Sequence, residues 1–77
     1  MDPTFAEAYF NLGRLLNAQG DLPEAERNFN DAAKLNPSYI SAHFHLGIVL
    51  MEKGDRAGTE RAYREVIKLS PSNIVAR

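Results

Sequence analysis

The chain has 77 residues, ten acidic and nine basic, for a net charge of −1. One small domain of this size buries a modest share of its surface, and a near-neutral chain with no long charged block argues against nucleic acid or an anionic membrane as partner. There is no cysteine, which excludes a disulfide framework and thiolate chemistry and fits a reducing compartment such as the cytoplasm.

Met1-Asp2-Pro3 lacks the basic start and apolar core of a signal peptide, and Met1 reads as an added start residue before a repeat boundary. No apolar run approaches the roughly 20 residues that span a bilayer. Phe5, Ala8, Tyr9, Leu12, Leu15 and Leu16 then follow helical spacing. Asp2-Pro3 offers a capping side chain followed by a proline in the tolerant first turn, and Gly20 ends the segment. Asp21 to Glu24 reads as a capping box, Pro23 stands in the first turn, and Ala25, Phe29, Ala32, Ala33 and Leu35 mark the apolar stripe of a second helix. Asn36-Pro37 reads as the next cap, before Ile40, His43, Phe44, Leu46, Gly47 and Leu50; Gly54 closes that helix. Asp55 keeps the cap of the last helix, but Gly58 stands where Glu24 stood. The box is lost there, and glycine in a first turn costs up to ~1 kcal/mol against alanine. Thr59 and Val66, both β-branched, replace Ala25 and Ala32. These signals predict helices over 4–18, 22–35, 38–52 and 56–69.

The four helices are two copies of one unit. Pro3, Pro37 and Pro71 are spaced 34 residues apart. Laid over each other without a gap, Thr4–Pro37 and Ser38–Pro71 agree at twelve of 34 positions, including Leu12-Gly13 with Leu46-Gly47 and Gly20-Asp21 with Gly54-Asp55. Periods of 20 to 50 residues mark solenoids, in which each unit buries its apolar face on the next. The expected organisation is repeat 1 over 4–37, repeat 2 over 38–71 and the start of a third unit over 72–77, so that the chain reads as a piece of a longer array. The mid-helix glycines Gly13 and Gly47 imply close backbone approach. Ala25 and Ala32 are expected opposite, with Tyr9, Leu12, Leu16 and Phe29 filling the space around them; leucine at either glycine should force the hairpin apart.

The run Tyr9-x-x-Leu12-Gly13-x-x-Leu16, with Gly20, Ala25, Phe29, Ala32 and Pro37, resembles the tetratricopeptide repeat. The second unit matches through Leu46-Gly47, Leu50, Gly54, Tyr63 and Pro71 and departs at His43, Thr59 and Val66. The resemblance implies an all-α solenoid of two antiparallel helix-turn-helix hairpins in a right-handed superhelical stack. It also implies a concave groove, lined by the first helix of each unit, that takes a peptide or a partner's helix. The groove residues carried over are Glu7, Phe10, Asn11, Arg14 and Asn17, then Ser41, Phe44, His45, Ile48 and Met51. Phe10 and Phe44 have a second reading, as packing between adjacent first helices.

Some members of the family hold a C-terminal carboxylate in a clamp of lysines, asparagines and an arginine. Here those positions are Phe10, Arg14, His45 and Val75, and only Arg14 keeps a charge, which speaks against that ligand. Repeats attached to protein O-glycosyltransferases grip a peptide backbone with asparagines; Asn11 fits that pattern and His45 departs from it. His43 and His45 lie two apart, on different faces of a helix, where a metal pair needs three or four. No carboxylate pair, phosphate loop or nucleophile–base set stands out, so neither catalysis, metal nor cofactor is expected. The function expected is a non-catalytic interaction module for a protein or peptide. The alternatives are self-assembly into homo-oligomers, by end-to-end stacking through exposed repeat ends around Ala62, Val66 and Leu69 or by exchange of helices between chains, and a substrate-selecting segment of a larger enzyme such as an O-glycosyltransferase.

Overall fold

The computed structural model describes residues 3–69, with side chains from 5 to 69. Four helices follow in order: α1 (Pro3–Ala18), α2 (Leu22–Leu35), α3 (Ile40–Lys53) and α4 (Arg56–Leu69). α1 packs on α2 and α3 on α4, forming two hairpins. α2 packs on α3 and joins them, and α1 touches α3. The expected cap at Asp2 and the start of a third unit over 72–77 lie outside the described residues.

Each hairpin closes on a glycine facing a ring. A Cβ on Gly13 would lie 2.7 Å from Phe29 Cε1, and one on Gly47 would lie 2.7 Å from Tyr63 Cε1. The close approach is therefore of an aromatic ring onto helix backbone, where the sequence suggested alanines opposite. Phe29, Ala25 and Ala32 are fully buried. Tyr9 and Leu12, expected to fill the same space, are substantially exposed instead. Ala62, expected to be uncovered at the end of the second unit, is buried. Val66 and Leu69 are half-buried, and Ile67 carries the exposure.

The turns show where local chemistry differs from the expected caps. Gly20 and Gly54 both adopt positive φ, 83° and 88°, the left-handed conformation that ends a helix most easily in glycine. Beyond them, the Asp21 and Asp55 N–H groups donate back to the Leu16 and Leu50 carbonyls at 2.9 and 2.8 Å. Asp21 Oδ1 accepts from the Glu24 N–H at 3.4 Å, while the Glu24 carboxylate turns to Arg27. Only half of the capping box forms. Asp55 Oδ1 accepts from the Gly58 N–H at 3.0 Å, so the second unit keeps its cap without the glutamate. Gly58 is buried beneath it: a Cβ there would meet Asp55 Oδ2 at 2.7 Å. Asn36 ends α2, donating its N–H to Ala32, and its Oδ1 accepts from the Ser38 hydroxyl. Pro37 and Ser38 form a turn, and α3 starts at Ile40, two residues later than expected, after an extended Tyr39 with no side-chain cap.

Candidate functional site

α1 and α3 meet where Phe10 and His45 touch edge to face, with ring centroids 4.9 Å apart. Both residues are among those expected on a concave face. Phe10 belongs to the core. It is 8% exposed, and its ring packs on Phe29 at 5.7 Å and Tyr39 at 5.2 Å. Of its two readings, packing is the one the structure shows, because Tyr39 and His45 of the second unit close over it. Phe44, the same position one repeat later, is 45% exposed, its ring held by His45 at 5.7 Å and Tyr63 at 5.9 Å.

His45 is half-buried among Phe10, Phe29 and Phe44. Its Nδ1–H donates to the Ser41 backbone carbonyl at 2.9 Å, one turn back on α3. That bond fixes the ring. His43 is held separately, with Nε2–H donating to the Pro37 carbonyl at 2.9 Å. The two histidines thus serve different backbone groups. Among the described residues, no group of three or more His, Cys, Asp or Glu is placed to hold a metal ion. No described helix is long and apolar enough to cross a membrane.

The remaining site residues are accessible to different degrees. Glu7, Asn11, Arg14, Ser41 and Met51 are exposed, and Asn17 and Ile48 are half-buried. The Arg14 guanidinium lies 5.8 Å above the Phe10 ring, a cation–π arrangement that holds a positive charge over the joint of α1 and α3. Tyr39 completes this corner, though it was not among the expected site residues. Its phenol pKa is raised, first by burial and then by the Glu7 carboxylate, with Arg14 pulling the other way. The signal for it was present in the repeat, since Phe5 and Tyr39 put an aromatic at the same place in both units. On α2 and α3 a polar hollow of about 650 Å³ is lined by Glu26, Arg27, Asp31, Lys34 and Lys53 among others. Its charges are of both signs, and the Lys53–Glu26 ion pair joins its two sides.

A TPR repeat family model matches residues 13–54, and a tetratricopeptide repeat model matches residues 40–73. No curated protein matches the chain at a significant level.

Proposed function

This chain belongs to the tetratricopeptide repeat family, whose repeats generally mediate protein–protein interaction, and from that we propose a non-catalytic binding module whose α1/α3 face holds a peptide or a partner's helix. One observation carries the reading. Phe44, Ile48 and Met51 stand at i, i+4 and i+7 on α3, and Met51 is 55% exposed. Exposed apolar groups aligned beside polar ones favour a protein partner. Asn11 and Arg14 supply those polar groups from α1, the first as both donor and acceptor, the second as a fixed cation. The matching segment carries an apolar side chain for Ile48 and Met51 and a carboxylate for Arg14.

The test uses a displayed library of random peptides selected on the 77-residue chain. The binder obtained is titrated by fluorescence anisotropy. Met51→Ala and Arg14→Ala are each expected to weaken it at least about tenfold, equivalent to ~1.4 kcal/mol. Arg64→Ala, on the solvated Glu60–Arg64 pair of α4, should leave it unchanged. Equal affinity for all four proteins would show that the binding face lies elsewhere.

A further inference from the structure

The 34-residue period makes the joint inside the molecule a template for a joint between molecules. Inside, α2 lies on α3 and covers Ala42 and Val49, both fully buried, with Tyr39 and Leu46 packed against the same cluster. Their counterparts one repeat earlier are Ala8, Leu15, Phe5 and Leu12 on α1. All four are exposed, Phe5 at 61% and Leu12 at 45%. Three of them, with Tyr9 and Leu35, line an apolar hollow of about 350 Å³.

The covering side repeats as well. Phe10 packs on Tyr39 from the first unit, and Ala33 of α2 packs against the core on the helix face that carries Glu26, which pairs with Lys53 of α3. One repeat later these positions are Phe44, Ile67 and Glu60. Phe44 is nearly half exposed and Ile67 is 52% exposed. The chain therefore presents both halves of one joint, an acceptor face on α1 and a donor face on α4 with Phe44. Each half is built on the sequence positions that already fit together between α2 and α3.

We propose that copies of this chain stack head to tail, with α4 and Phe44 of one copy on the Phe5–Leu15 face of the next, as α2 and Phe10 sit on α3. In that register Phe44 meets Phe5 of the following copy, repeating the Phe10–Tyr39 contact. Glu60 meets Gln19, which replaces Lys53, so a hydrogen bond takes the place of the ion pair. Such an interface is heterologous: different patches meet, each stack keeps one free donor at one end and one free acceptor at the other, and assembly continues into open stacks. The competitor within the same chain is the segment from Pro71 to Ala76, whose sequence repeats Pro37, Ser38, Ile40 and Ala42. If it takes the donor face, the chain stays monomeric.

Sedimentation velocity on the full chain, from micromolar to millimolar concentration, decides between these. The expected result is a weight-average mass that rises with concentration past that of a dimer. Leu12→Glu disables the acceptor and Ile67→Glu the donor. Both sites are about half exposed, and helical circular dichroism checks that each variant folds. Each variant alone should be monomeric throughout. Mixed in equal amounts they should form a dimer and nothing larger, because one intact donor meets one intact acceptor. A wild-type chain monomeric at millimolar concentration overturns the proposal, and so does a mixture that stays monomeric or variants that associate like wild type. Arg14 and Met51 take no part in this joint, so the peptide experiment and this one fail independently.

Discussion

The hairpins depend on two missing side chains. Glycine in a helix costs ~1 kcal/mol relative to alanine, and Gly13 and Gly47 both sit mid-helix. The compensation is the ring that lies on each: Phe29 and Tyr63 occupy the volume a Cβ would need, at 2.7 Å. Alanine at position 13 therefore meets two opposed effects. Helix propensity gains ~1 kcal/mol, and overpacking against a fully buried ring costs about 1–3 kcal/mol. Phe29 has no free space to move into, being buried against Phe10 and the alanines of α2, so the cost wins. Gly13→Ala is expected to destabilise the chain by ~1 kcal/mol in urea denaturation. In a Phe29→Leu background the same change should become neutral or stabilising, because the ring edge it strikes is gone. A double-mutant cycle measures the coupling directly. Additive effects would mean that the ring does not dictate the glycine.

At the level of the helices, the two units start their second helix by different means. In the first, Asp21 accepts from Glu24 at 3.4 Å, and Glu24 spends its carboxylate on Arg27. In the second, Asp55 accepts from Gly58 at 3.0 Å, and the Thr59 hydroxyl adds a bond to the Asp55 carbonyl at 2.8 Å. The glycine that looks like a weakness in the sequence is what lets the carboxylate lie close over the first turn. Loss of a capping side chain costs about 0.5–2 kcal/mol. Asp55→Ala should fall in the upper half of that range and Asp21→Ala in the lower half, as read from urea midpoints. Gly58→Ala should also destabilise α4, although alanine is the better helix former by ~1 kcal/mol, because its Cβ displaces the Asp55 carboxylate. An increase in stability on Gly58→Ala would sink this account of the cap.

For the molecule as a whole, the period and the glycine, proline and aromatic positions made the four helices and their pairing legible, because those residue types answer to local geometry. What stayed hidden depends on neighbours. Tyr9 and Leu12 carry the same apolar signal as Leu46, and sequence cannot say that α2 covers one face and nothing described covers the other. For the same reason Phe10 and Phe44 look equivalent in the repeat, yet Phe10 is core and Phe44 is half exposed. The difference is supplied by Tyr39 and His45, which belong to the second unit but close over a residue of the first. In a repeat protein, stability is a sum of unit terms and joint terms, and two short hairpins have little stability of their own. Phe10 therefore reports on the joint. Truncating a buried phenylalanine costs about 3–5 kcal/mol, which is a large part of the ~5–15 kcal/mol of an ordinary domain. Phe10→Ala is expected to leave the chain largely unfolded, or to split its single urea transition. Phe44→Ala should cost only ~1 kcal/mol, within the range of ordinary point changes. The comparison belongs at low micromolar concentration, where contacts between copies do not add to Phe44. Equal costs at the two positions would mean that the second repeat does not hold the first, and that the joint between α2 and α3 is not what binds the two hairpins into one unit.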